Sequence, residues 1–114
     1  MRHHKKKKFA KGMDHARKLL RTLASSAILY ERIETSYSNA RAAKSYVEKA
    51  ITISKNNTLQ ARRQLLSKLT PMAAKKAMEV LGPKYKERKG GYTRMIKLND
   101  PKAGASKAVL ELVD

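Results

Sequence analysis

The 114-residue chain is long enough for one small domain and a tail, and its lack of cysteine excludes disulfides, thiolate zinc sites and cysteine nucleophiles. Lys and Arg number 27 against 9 Asp and Glu, a formal net charge of +18, so the chain favours any polyanion that relieves its self-repulsion. Nucleic acid is the first candidate partner and an anionic membrane surface the second, while a 41% hydrophobic content excludes disorder throughout.

Residues 1–12 read as a basic arm containing Arg2, His3, His4, Lys5, Lys6, Lys7, Lys8 and Lys11. The arm has neither an acid nor a helical period, and on its own it is expected to be disordered. No apolar segment follows it, so it is not an export leader. No stretch approaches the ~18–20 apolar residues of a membrane span. A soluble, cytoplasmic protein is therefore expected.

Residues 13–114 are expected to form a single globular domain. Asp14 is placed to cap a first helix. Along it Ala16, Leu20, Leu23 and Ala27 recur at helical spacing, with Leu19 and Ala24 beside them and Arg17, Lys18 and Arg21 on the other side. That pattern predicts one core face and one cationic face.

The stretch RIETS at 32–36 breaks the helical period and carries β-branched Ile33 and Thr35, predicting a short strand. A second helix is expected from Ser38 or Asn39 to about Ser54, with Ala40, Ala43, Val47, Ala50 and Ile51 on one stripe. Asn57 is expected to cap a third, which carries Leu59, Leu65, Leu66 and Leu69. Its adjacent Arg62 and Arg63 either cover apolar surface with their stems or reach phosphate. Thr70-Pro71 reads as an N-cap followed by proline at the first helical position. Gly82-Pro83 reads as a left-handed cap followed by a breaker, ending a fourth helix.

Beyond it, residues 84–91 form a cationic loop ending in paired glycines. A strand is expected over 92–98, a turn-rich connection over 99–106 and a last strand over 107–113, with Ala108, Leu110 and Leu112 on one face. The order α-β-α-α-α-β-β predicts a two-layer α+β fold, four helices packed on a small three-stranded sheet, with an extended basic N-terminal arm.

His3, His4 and His15 make a poor metal set, because the surrounding cations repel a metal ion and no cysteine supports them. Glu31 and Glu34 are the only close acids; an offset of three puts them on opposite faces of a strand, where pairing with Arg32 or nearby lysines is expected. No serine sits in a nucleophile elbow and the paired glycines lack phosphate-loop spacing, so no enzyme and no cofactor are expected. Gly90 and Gly91 lie between Lys84, Lys86, Arg88 and Lys89 on one side and Arg94 on the other. Either they make a simple turn, or the turn lets amides and flanking cations reach one phosphate ridge. Tyr85 and Tyr92 either stack on a base or sugar or belong to the core.

Spread through the chain, MRH at the start, His15, ERIET at 31–35, ARR at 61–63, GGYTR at 90–94, KL at 97–98 and ELV at 111–113 occur in an order and spacing that resemble the bacterial large-subunit ribosomal protein numbered seventeen. His4, the KKKK run and Met13-Asp14 depart from that pattern. The resemblance covers essentially the whole chain. It implies an α+β fold with three strands and four helices, and a structural role without reaction or cofactor. It further implies one monomeric copy per large subunit, bound to large-subunit ribosomal RNA near the peptide exit region beside neighbouring ribosomal proteins. The expected RNA contacts are the arm, His15, Arg17, Lys18 and Arg21, Arg62 and Arg63, and Lys84, Lys86, Arg88, Lys89, Gly90, Gly91, Tyr92 and Arg94. A nucleoid DNA-coating protein and an anionic-membrane-surface protein are the rivals; the membrane reading leaves the second cationic cluster near Gly90 without a purpose.

Overall fold

The computed structural model describes the backbone of residues 2–98 and 106–114, and the side chains of residues 15–98 and 106–114. In chain order it contains α1 (Arg2–Tyr30), β1 (Arg32–Ser36), α2 (Tyr37–Ser54), α3 (Leu59–Lys68), α4 (Pro71–Lys76), β2 (Thr93–Leu98) and β3 (Lys107–Leu112). From α4 the chain continues without a break through a π-turn (Ala77–Leu81) and a last α-turn (Gly82–Lys84), making one rod. The connection expected over 99–106 lies outside the described residues except for Ser106.

The sheet is antiparallel with order β1-β3-β2, so the strand made last lies in the middle. Ala108, Leu110 and Leu112 face the helices, and Leu110 pairs with Ile33 on one side and Met95 on the other. α2 supplies the opposing layer through Ala40, Ala43, Val47, Ala50 and Ile51, the expected stripe, all buried. Small residues at 40, 43 and 50 let that helix approach its neighbours closely, which is why it can sit at the centre of a core with few aromatics.

Caps account for the helix starts. The Ser36 hydroxyl accepts the Asn39 amide at 3.3 Å, starting α2 one or two residues before the expected position. Thr58, not Asn57, caps α3, its hydroxyl accepting the Ala61 amide at 3.1 Å. Thr70 is the cap residue of α4 with Pro71 in the first turn, as the Thr-Pro pair predicts, although the Thr70 side chain makes no capping bond.

Four further expectations are corrected. Asp14 falls inside α1, which runs from Arg2, and so does not start it. Lysine, arginine and alanine are good helix formers, and no proline stands there to stop the helix. The buried face of α1 is Ala24, Ala27 and Ile28 with Leu20 and Leu23 at its margin, whereas Ala16 and Leu19 are exposed. On α3, Leu65 and Leu69 are buried but Leu59 and Leu66 point outward, because only one edge of this short helix meets the core. Gly82 is not a left-handed cap: its φ of −55° and ψ of −55° are helical, and it is buried against α2. The π-turn explains how Pro83 is accommodated. The Gly82 amide reaches back to the Ala77 carbonyl, one residue further than an α-helix allows, and the widened turn lies where Pro83 has no amide to donate.

Candidate nucleic-acid interface

The loop after the helical rod is built by what holds it. Tyr85 and Tyr92 are each 2% exposed, with rings 5.2 Å apart and tilted by 48°. The Tyr85 hydroxyl donates to the Val113 carbonyl, and burial pushes its pKa above the ordinary phenol value, with Lys84 pulling the other way. Neither ring is free to stack on a base, so Tyr92 leaves the expected contact set and takes a structural place beneath the loop.

Between the tyrosines the chain turns on Gly90 (φ +138°) and Gly91 (φ +63°), both in the left-handed half of conformational space that favours glycine. The amides just beyond are already engaged. Glu48 on α2 accepts the Tyr92 amide at 3.2 Å through Oε1, and the Thr93 amide at 2.7 Å and Thr93 hydroxyl at 2.6 Å through Oε2. On the near side Lys55 Nζ donates to the Arg88 carbonyl and, at 2.9 Å, to the Tyr92 hydroxyl. At 5.2 Å from the ring centre that ammonium lies off the hydroxyl edge, so the contact is a hydrogen bond and not a cation over the ring face.

What remains outward is charge. Lys84, Lys86, Arg88 and Lys89 are exposed, and none lies within 4 Å of a described acid. Arg94, also expected to meet phosphate, is exposed but shares Glu111 with Arg32: its Nε stands 2.5 Å from Oε1, and Arg32 NH1 lies 3.4 Å from Oε2. The register places both arginines opposite Glu111 on the sheet face away from the helices. One carboxylate between two guanidiniums leaves that row net positive. Glu31 pairs with Lys76 at 3.8 Å and not with Arg32, because a positive φ of 64° ends α1 at Glu31, before the strand begins.

The other expected residues sit on two helices. His15, Arg17, Lys18 and Arg21 are exposed on α1, and Arg21 donates to the Leu69 carbonyl at 3.1 Å, bringing that row to the end of α3. A groove of about 390 Å³ is lined by Lys49, Thr52, Ile53, Lys68 and Gly90, among others, joining the loop to α2 and the end of α3. Lys86 shares a second groove with Asn57, at the start of α3. Arg62 and Arg63 are both exposed, outside these grooves, while Ala61 and Leu65 carry the burial of α3. The side chains of Arg2, His3, His4, Lys5, Lys6, Lys7, Lys8 and Lys11 lie outside the described residues. Glu48, Lys49, Lys55 and Lys68 were missed from sequence: a lone acid beside Val47 and lysines scattered on different helices give no local pattern.

Among the described residues no cluster of His, Asp and Glu could hold a metal ion, and no helix is long and apolar enough to cross a membrane. The family described as Ribosomal protein L17 matches residues 19–113. The chain is 46% identical to a large ribosomal subunit protein bL17 of Wolbachia sp. subsp. Drosophila simulans (strain wRi), over 96% of this chain and 80% of that protein. It is 42% identical to the bL17 of Natranaerobius thermophilus, over 95% of this chain and 97% of that one, and 41% identical to that of Hydrogenobaculum sp. (strain Y04AAS1) over the full length of both.

Proposed function

Since the chain belongs to the ribosomal protein L17 family, we propose that its two cationic regions hold it on large-subunit ribosomal RNA near the peptide exit region. It is a structural constituent of the large ribosomal subunit. The observation that carries the RNA reading is the row of exposed cations at 84, 86, 88 and 89, left without acidic partners among the described residues on a loop fixed from beneath. A surface so composed gains most from a phosphate ridge, where each neutralised phosphate releases counterions. Arginine fits phosphate in a two-pronged geometry and lysine acts as a point charge.

The arm lies along a groove between RNA helices, and the loop, with the Arg17, Lys18 and Arg21 row and the Arg62-Arg63 pair, docks as a rigid second surface. Recognition follows RNA shape more than sequence. One copy sits in each subunit, beside neighbouring ribosomal proteins. If the six Lys and Arg of residues 2–11 all meet phosphate, they contribute a log-log salt slope of roughly −4 to −5.

A truncation beginning at Gly12 tests this reading. Among the described side chains the first to pack against the core is Leu20, so the truncated protein should keep its fold and incorporate poorly into large subunits. Sedimentation of lysate, a salt wash and mass spectrometry of the heavy fraction give the measure. Full incorporation of the truncated chain refutes the role of the arm. Equal affinity for duplex DNA and structured ribosomal RNA favours the nucleoid reading.

A further inference from the structure

We infer that Glu48 and Lys55 are positioning residues for RNA docking: from α2 and its C-cap they grip the two ends of the glycine turn and so hold Arg88 and Lys89 on the surface as a fixed pair. This rests on the proposed RNA-binding function of the loop.

Glu48 lies on α2 and Lys55 is its C-cap with helical backbone angles; seven residues apart, two helical turns, they project from the same side about 10 Å from one another. Their charges are matched to opposite backbone groups. The Glu48 carboxylate takes two amides and a hydroxyl where the chain leaves the turn, and the Lys55 ammonium takes the Arg88 carbonyl where the chain enters it. Between them stand Gly90 and Gly91, which have open space where side chains would lie, and the only side-chain tie to either among the described residues is the Arg88 Nε donating to the Gly90 carbonyl at 3.3 Å. Two glycines with so little restraint populate many conformations unless held. The grip therefore comes from α2, whose Val47, Ala50, Ile51 and Ser54 are buried in the core. Glu48 occupies the Tyr92 and Thr93 amides, so those two are not available to a phosphate. The function of the turn is to present the cations beside it.

The sign of the effect separates positioning from simple electrostatics. Glu48→Ala removes a negative charge near the RNA-facing loop, and by charge alone it strengthens binding. Loss of the grip weakens it, because only a fraction of loops then present both cations correctly and the apparent affinity falls by that fraction.

The experiment measures binding of the full-length protein to a transcript of large-subunit ribosomal RNA across a salt series, with duplex DNA as competitor. Folding is checked by circular dichroism. Folded Glu48→Ala should bind about tenfold more weakly. Its salt slope should be shallower by about 1 to 2, although no cation has been removed. A purely structural role for Glu48 lowers the melting temperature and leaves both the affinity of the folded protein and the slope unchanged.

Should Glu48→Ala not fold, Glu48→Gln replaces it. Its oxygen can still accept from Thr93, but its amide nitrogen faces the Tyr92 donor, and a loss of about threefold is expected. Wild-type RNA binding with a folded variant that binds as well or better overturns the positioning role and leaves the RNA reading standing. Failure of the wild-type protein to prefer the ribosomal RNA transcript overturns the RNA reading itself and this inference with it.

Discussion

Replacing Gly82 by alanine sets two physical effects of opposite sign against each other. The backbone at Gly82 is ordinary helix, so propensity alone makes alanine more stable by about 0.5–1 kcal/mol. Packing argues the other way. A Cβ there would lie 2.5 Å from the Ser54 carbonyl oxygen, 3.1 Å from its carbon and 3.3 Å from the Ala77 carbonyl oxygen. None of these is a flexible side-chain tip, so relief requires α2 and the helical rod to move apart. That separation would loosen Ile51, Ala77 and Leu81, all at 0% exposure. Overpacking costs about 1–3 kcal/mol, and a backbone-on-backbone clash belongs at the upper end. After the propensity gain the net loss is about 2 kcal/mol, which for a domain of this size lowers the melting temperature by about 8–10 °C. Thermal and urea unfolding of the RNA-free protein give the comparison. A Gly82→Ala protein that melts at or above the wild type would show that the two helices are not held at this distance.

At Gly91 the same substitution acts for a different reason: space is open, but φ is +63°, so alanine should cost about 1–2 kcal/mol and asparagine less, read from urea midpoints. Leu110, fully buried in the central strand, should cost about 2–5 kcal/mol on truncation to alanine by the same assay. Glu31 carries a positive φ without being glycine; Glu31→Gly relieves that strain but loses the pair with Lys76, so a change of at most about 1 kcal/mol in the stabilising direction is expected. Burial raises the pKa of both Tyr46 and Tyr85, opposed by Arg21 at Tyr46 and chiefly by Lys84 at Tyr85. The folded state then holds these protons longer than the unfolded chain does. Their contribution is complete below about pH 10 and is lost as pH rises through the folded values, so urea midpoints should fall above pH 10, less steeply in Tyr46→Phe.

Much of this fold can be read in short windows. RIETS at 32–36 declares a strand through its β-branched Ile33 and Thr35, and Thr70-Pro71 declares a helix start through proline chemistry alone. The α2 stripe is legible because a helix at the centre of a core must be apolar along one full face. Gly82-Pro83 misleads because the same dipeptide that ends many helices is retained here for close contact with Ser54, a residue 28 positions earlier. The exposed leucines of α3 mislead because hydrophobicity marks a candidate face without saying whether anything covers it. In the candidate site the cations were legible as charge. The attachment of the loop was not: Glu48 and the Tyr92-Thr93 amides are more than forty residues apart, and only the folded chain brings them together.

The strand order carries a consequence for synthesis. Both outer strands leave the translating machinery before the one that must lie between them, and until that third segment emerges neither has a neighbour to bond with. The sheet therefore closes in a single late event, with about seventy residues already committed between its first and last members. A premature stop anywhere before Lys107 would leave a highly cationic product with helices but no keystone, a species suited to clinging to nucleic acid without ever fitting its berth.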